Sequence, residues 1–492
     1  MPLQALAAVA TLLSFSQHGN RVEFQADRGA AEMVWLSPGT FRFRRALEGA
    51  LPPAETPAPE GVVHIQIDET PGAVRIRSEK IAVTVQKRGL LVAVRNLEGA
   101  SLMEDLSEPE AHDGVVTWER RMDASARYYG LGPRAAEDYD LRGQSIASEF
   151  PLLLSTSGYG EFHAGRGPFR FDFTAPGSYR IQAPRVDYYV YFGPRLKAIF
   201  EEHKKAAGFA ALWQPAPTPP RDALLNLTQA ALSAILNPGF DLSAYDHAPA
   251  GERRRARQVF SLVPHARPGV EGLSGFRQQL ATFFAAYDPE VDYKGYPVWH
   301  ALPFQFPGDP ECALHADEFM LGDEMLIAPI LEGTSRSVYL PQGAWTNLET
   351  NAVLQGRRTV TVETPALPVF ARNGAIVPLD SPGGMALHYF PELAAEFFIV
   401  EPTANDYSQV HAAPAGDEMR LEIESKVARD YQWVVHHVER PAAVGLAQTR
   451  YRPAPSADRM SEGSYFYDAA QKNLHVRVHV KAGEDCIVNL SF

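Results

Sequence analysis

FAALWQPAPTPPRDALLNLTQAALSAILNPGFDLSAYDH, running from Phe209 to His247, lies between two long β-rich regions and reads as a buried helix held between two loops. Thr218 stands as an N-cap with Pro219 in the first turn. Leu224, Leu227, Ala231, Leu232, Ile235 and Leu236 then recur at helical spacing until Asn237-Pro238-Gly239 ends the run. The expectation is a helix over Pro219–Leu236. The flanking loops carry an aromatic residue, Trp213, and the carboxylates Asp241 and Asp246, while Asp222 falls in the first helical turn, close to the Trp213 loop. Whether these loops line a working site decides the function.

The rest of the composition sets the frame. With 492 residues, 45% of them hydrophobic and 10% aromatic, the chain can bury several cores, and at about 150 residues per domain it is expected to hold roughly three. The net charge of -13 comes from scattered Asp and Glu, and no Lys/Arg stripe interleaved with aromatics is present, which argues against nucleic acid. Arg253-Arg254-Arg255 reads as a solvated helix face. Cys312 and Cys486 are too far apart in sequence to form a metal-ligand motif or a disulfide framework and read as free thiols. Met1–Phe15 is apolar but lacks the basic start of a signal peptide. Leu12–Gln17 and Arg21–Gln25 around His18-Gly19-Asn20 read equally as a β-hairpin, so a cytoplasmic location is favoured, with export as the alternative. No other run approaches the roughly 18 apolar residues of a membrane span.

From Arg21 to Phe200 short runs alternate with period two, among them Val62–Ile67, Ala73–Ile76, Ile81–Val85 and Leu90–Arg95, which predicts a large β-sandwich. Within it, Tyr128–Asp140 and Phe150–Phe162 are dense in glycine, aromatic and polar residues. Glycines let backbone approach a neighbour or ligand closely, and Tyr or Asp can present a hydroxyl or carboxylate to a polyol; tight turns with aromatic corners explain such stretches equally well. Leu196–Ala207 reads as a short helix, as do Glu252–Leu262 and Leu273–Tyr287, the last with Phe276, Leu280, Phe283 and Phe284 on a face better suited to a core than to a sugar platform. Strands return at Glu324–Ile330, Arg336–Leu340, Thr359–Val362 and Val369–Val377. A further β unit from Met385 to Phe492 has strands near Ala395–Val400, Met419–Ile423, Gln432–Val438 and Leu474–Val480.

Two motif series carry a resemblance. Tyr129-Gly130-Leu131-Gly132, Asp140-Leu141-Arg142-Gly143, Pro151–Gly160 and Asp187-Tyr188-Tyr189 with Gly193 form the first. The second comprises Phe306-Pro307-Gly308-Asp309, Phe319-Met320-Leu321-Gly322-Asp323, Ala328-Pro329, Tyr339–Trp345 and Pro368–Pro378. In order and spacing they resemble the N-terminal β-sandwich and the post-barrel strands of the family 31 glycoside hydrolases, which include α-glucosidases and α-xylosidases. The resemblance implies a galactose mutarotase-like sandwich, a catalytic (β/α)8 barrel and two C-terminal β domains. Only about ninety residues separate the sandwich from the post-barrel strands, whereas a complete barrel needs at least ~200.

What remains resembles the last quarter of that barrel, most of which is missing. Trp213-Gln214-Pro215-Ala216 stands where the family has Trp-x-Gly-Asp, and Gly239–Tyr245 resembles Gly-x-Asp-x-Gly-Gly-Phe. A retaining glycosidase needs a nucleophilic carboxylate and an acid/base carboxyl. On this resemblance Ala216 occupies the acid/base position, Gly208 that of a supporting arginine, and Gly269, after Arg267, that of a substrate-contacting histidine. The nucleophile has no counterpart.

The expected fold is therefore mainly β with a mixed α/β middle. Its parts are an N-terminal sandwich over residues 1–200, a mostly helical barrel remnant over 201–302, a proximal β domain over 303–382 and a distal one over 383–492. Candidate catalytic carboxylates are Asp241 and Asp246, and candidate substrate-binding residues are Trp213, Asp241, Arg267 and Asp140. No metal or cofactor is implied. The partners expected are carbohydrate and a protein partner or second copy, with neither nucleic acid nor membrane. The first functional reading is a catalytically degenerate binder, and its alternative is an active α-glycosidase with a remodelled site.

Overall fold

The computed structural model describes residues 9–54, 62–131, 140–148, 151–165, 167–212, 279–294, 299–315, 318–328, 330, 334–364, 367–401, 403–446 and 449–492. The expected helices over Pro219–Leu236 and Glu252–Leu262 lie outside these residues, as do Trp213, Ala216, Asp241, Asp246 and Arg267. The fold is mainly β and largely antiparallel, as the alternating pattern requires.

The N-terminal part is built on an eight-stranded sheet. Its strands are β1 (Leu12–His18), β2 (Arg21–Ala26), β3 (Ala30–Ser37), β4 (Thr40–Ala46), β5 (Tyr128–Gly130), β6 (Leu152–Ser155), β7 (Tyr159–His163) and β8 (Val186–Phe192). They are ordered β1-β2-β3-β4-β8-β7-β6-β5. The hairpin reading of the N-terminus holds: His18 pairs with Arg21 across the Gly19-Asn20 turn.

The inner face of this sheet buries Val22, Phe24, Trp35, Phe41 and Phe43 against residues of two five-stranded sheets, including Ile76, Val83, Trp118, Phe171 and Ile181. Charge lies at the centre of that core. Arg120, fully buried, donates to Asp105 at 2.8 Å and meets Glu161, which accepts from the Tyr179 hydroxyl at 2.8 Å. A buried ion is tolerable only when paired and hydrogen-bonded in this way.

The outer face of the same sheet is divided. On β5–β8 it is apolar, and Tyr129, Leu152, Leu154, Tyr189 and Tyr191 pack beneath helix α1, Leu196–Leu212. Leu196, Ile199 and Phe200 supply the buried side of α1, three and four residues apart as an amphipathic helix demands. The helix lies close because Gly160 has no Cβ: one built there would come within 2.5 Å of the Ile199 side chain. The expected helix ended at Ala207, and α1 continues five residues further.

Helix α2, Ala281–Lys294, brings Phe283 under Phe397 of the distal region, with stacked rings 5.5 Å apart. Leu280 and Phe283 are core and not a sugar platform, as their spacing suggested. α2 runs past the expected end at Tyr287 to Lys294, and residues 273–278 of the expected helix lie outside the described residues.

Trp299–Ala301 opens a six-stranded sheet with Phe319–Leu321, Met325–Ile327, Val369–Arg372, Ala344–Asn347 and Val353–Gln355. The expected single strand Val369–Val377 is two strands. Asn373-Gly374 turns the chain, and Ala375–Ser381 pairs with Gly384–Phe390 in the first of two six-stranded distal sheets. Strand pairing thus runs across the expected boundary at 382/383. Both cysteines are buried and free.

Candidate functional site

Among the expected site residues, Asp140 is described. It sits at the end of the Tyr128–Asp140 stretch and is 4% exposed. Its Oδ2 accepts from Arg127 at 2.9 Å and from the Arg142 Nε at 2.7 Å, while Oδ1 faces the backbone N–H groups of Tyr128 and Arg142. The aspartate is thus a clamp drawing the ends of this stretch together, with its oxygens already engaged. Tyr128, which the glycine-aromatic density also brought forward, is buried and accepts from the Asp123 N–H at 2.8 Å. The counterpart in the later motif, Asp187, is held bidentately by Arg42 at 2.8 and 2.9 Å.

The described residues that flank the central stretch contain a polar cluster absent from the expected site. Lys197 of α1 meets Asp323 at 2.5 Å. The Tyr287 hydroxyl, from α2, donates to Glu324 at 2.6 Å and accepts from the Asp323 N–H at 2.9 Å. Gly322 adopts φ +59, and a Cβ there would collide with the Glu324 carboxylate and lie 2.6 Å from the Tyr287 oxygen, so only glycine permits this closure.

The environment separates the two neighbouring carboxyls. Burial and the adjacent Asp323 charge push Glu324 up to about 8. Burial opposes ionisation of Asp323 too, yet the Lys197 ammonium, with His300 and Arg372, holds it below the ordinary carboxylate range. A protonated and an ionised carboxyl are the ingredients of acid–base catalysis. Here, however, they are sequence neighbours, and Glu324 is occupied by Tyr287, whereas glycosidase carboxyls stand across a sugar from one another. The cluster is a structural joint between α1, α2 and the Phe319–Ile327 hairpin.

Further along α1, His203 is fully buried. Its Nδ1 lies 2.8 Å from the Tyr191 hydroxyl, Phe162 packs edge-on at 4.9 Å, and burial lowers its pKa to about 3. Sequence reasoning passed over this group. The Gly322-Asp323-Glu324 run and the i, i+4 spacing of Phe283 and Tyr287 carried a signal for the joint. Nothing local marked His203. The other candidate residues, Trp213, Asp241, Asp246 and Arg267, lie outside the described residues. Among the described residues no group of three or more His, Cys, Asp or Glu is arranged to hold a metal ion, and no helix is long and apolar enough to cross a membrane.

Comparison with known proteins places this geometry. A model of the glycosyl hydrolase family 31 C-terminal domain matches residues 295–377, the segment that contains the Phe319–Asp323 motif and the joint's carboxyls. The fold as a whole superposes on a family 31 dextranase from Flavobacterium johnsoniae, solved with glucose, with a TM-score of 0.81 and 13% identity over 99% of this chain and 100% of that one. Residues 295–377 thus resemble the C-terminal domain of glycoside hydrolase family 31, and the fold is that of a solved member of that family.

Relatives named as α-glucosidases align over short stretches. An α-glucosidase from Saccharolobus solfataricus is 37% identical over 120 residues, 24% of this chain and 17% of that enzyme. An α-glucosidase 2 from Bacillus thermoamyloliquefaciens is 35% identical over 179 residues, 30% of this chain and 22% of the enzyme. The matched stretches thus span less than a quarter of those enzymes, and the likeness to the dextranase, at 13% identity, is one of fold.

Proposed function

We propose that this family 31-like protein binds carbohydrate without hydrolysing it, and that its abridged middle serves a partner or a second copy of the chain. The observation that carries the reading is Ala216, which stands where the family resemblance expects the acid/base aspartate and cannot transfer a proton. Three things support it: the lack of any counterpart to the nucleophile, Gly208 and Gly269 at two further polar positions, and about ninety residues where a barrel needs at least ~200. The crystallised dextranase relatives are complexed with glucose and isomaltotriose, which makes α-glucans the first ligands to try. Trp213, Asp241, Arg267 and Asp140 are the proposed contacts. A surface no longer covered by a barrel is expected to be repacked or buried in an assembly.

A second reading, an α-glycosidase with a rebuilt site, rests on Asp241 and Asp246 near the end of the expected central helix. Incubation with aryl α-glucosides, aryl α-xylosides and isomaltotriose separates the two. The binding reading expects no aryl alcohol and no glucose above the buffer rate. Release by the wild type that is lost in Asp241→Asn or Asp246→Asn would establish the enzyme instead.

A further inference from the structure

We propose a second carbohydrate site, a groove for a neutral oligosaccharide across the polar half of the outer face of the N-terminal sheet. The inference rests on the carbohydrate-binding reading and concerns residues of the N-terminal sheet. The groove encloses about 750 Å³, within the usual range of roughly 300–1,000 Å³ for small-ligand sites. Strand register lays two rows of side chains across it. One runs Ser16, Glu23, Glu32, Arg44 and Asp187, each directly opposite the next on β1, β2, β3, β4 and β8; the other runs His18, Arg21, Val34, Arg42 and Tyr189.

The outer face of an antiparallel sheet is ordinarily polar because water solvates it, and such a face keeps its charges in water. This one does not. Glu32, Arg42 and Arg44 are 7%, 2% and 7% exposed, and they are locked to one another and to their neighbours. Glu32 accepts from Arg21 at 2.6 Å and from Arg44 at 2.7 Å. Arg42 grips Asp187 bidentately, and Arg44 reaches the same carboxylate at 3.6 Å. Arg44 also donates to the Pro52 carbonyl at 2.5 Å, which holds Leu51–Ala54 up as one wall of the groove. Fixed, desolvated donors and acceptors of this kind are costly unless they position something.

The rim then offers unburied hydrogen-bonding groups above that rigid floor: the Ser14 and Ser16 hydroxyls, the Gln25 amide and the Glu23 carboxylate, with Arg21 partly exposed. Glu23 stands directly opposite Glu32, a like-charged pair that a sheet avoids when stability alone is at stake. The small Ala30 and Val34 leave space open on this face.

The charge decides the ligand class. Within the lining Arg21, Arg42 and Arg44 stand against Glu23 and Glu32, and Arg42 and Arg44 are also held by Asp187 beside it, at 2.8 and 3.6 Å; with the guanidinium groups engaged in this way, the groove offers little free charge to a phosphate, a uronate or a polyamine. Closely spaced carboxylates, amides and guanidinium groups suit vicinal hydroxyls, which donate and accept at once.

Titration calorimetry of the full chain with isomaltotriose tests this, using Glu23→Ala and Gln25→Ala on the exposed rim, Ser16→Tyr to fill the groove, and Trp213→Ala in the remnant. The proposal expects two binding events in the wild type, one of them weakened about tenfold or more by each rim variant and unchanged by Trp213→Ala. Binding that is lost in Trp213→Ala and indifferent to all three groove variants would overturn the groove while leaving the carbohydrate reading intact. No heat from isomaltotriose in any form would remove both. A response to glucose 6-phosphate, at a site blocked by Ser16→Tyr, in place of the neutral sugar would refute the neutral-ligand assignment.

Discussion

Asp140 shows how a residue chosen for chemistry can turn out to have a structural occupation. Its two arginines retain partial exposure, 23% for Arg127 and 30% for Arg142, so solvent screens part of what the carboxylate contributes. Asp140→Ala is expected to cost about 1–3 kcal/mol, because it leaves two guanidinium groups and two backbone N–H groups short of an acceptor. Urea denaturation measures this, and Asp140→Asn, which keeps the shape and one acceptor, is expected to fall between wild type and Ala. An unchanged midpoint in both variants would return Asp140 to a purely ligand-binding role. The residue itself was legible in the sequence from the polar and aromatic density around it. Its partners were not, since Arg142 lies two positions away and Arg127 thirteen, and no local pattern tells a clamp from a contact.

At the level of elements the alternation of the sandwich and distal strands could be read directly, because each strand buries one face and period two leaves a clear trace. Ala73–Arg77 and Ile81–Gln86 extend the expected runs by one residue each. Turns and ends were less legible. Val369–Val377 looked continuous because apolar residues lie on both sides of Asn373-Gly374, though the chain changes sheets there. The end of α1 was missed because the small residues of its last turns, Ala206, Ala207, Gly208, Ala210 and Ala211, give little amphipathic signal. How α1 seats could not be read at all, since it depends on Gly160 meeting Ile199 across the sheet. Gly160→Ala is therefore expected to lift α1 and cost about 1–3 kcal/mol by overpacking. Ile199→Val alone costs about 0.5–1.5 kcal/mol, and the double variant is expected to lose less than the sum of the two, since the shorter side chain makes room for the new methyl. Strict additivity in thermal melts would mean that the helix does not bear on that glycine.

For the whole molecule, one apolar cluster runs from Tyr129 and Leu152 in the sandwich, through Ile199 and Phe283 in the helices, to Phe397 and Trp433 in the distal sheets. Sequence alone suggested separate units, because the contacts that fuse them, such as Phe283 on Phe397, join residues more than a hundred positions apart. Titratable groups sit at these junctions and give the fold opposed responses to pH. His436 is 7% exposed, its Nδ1 lies 3.0 Å from Asn351 of the proximal region, and its Nε2 lies 3.0 Å from His388, with His437 and His475 the other titratable groups facing the pair. Burial lowers His388 to about 4 and His436 to about 2, against 6.5 when free. The unfolded chain therefore binds more protons here, and stability present above pH 6.5 is lost as pH falls towards 4 and below. Glu324 acts in the other direction. Raised from 4.5 to about 8, it binds more protons in the folded chain, so its contribution is complete below pH 4.5 and is lost as pH rises towards 8. Melting temperatures between pH 4.5 and 8.5 are expected to pass through a maximum. Glu324→Gln, which keeps the Tyr287 contact without a charge to form, should flatten the alkaline side and move the maximum to higher pH. His436→Gln, with no proton to gain, should flatten the acid side and move it to lower pH. If both variants moved the maximum in the same direction, the two junctions would not be the groups that set it.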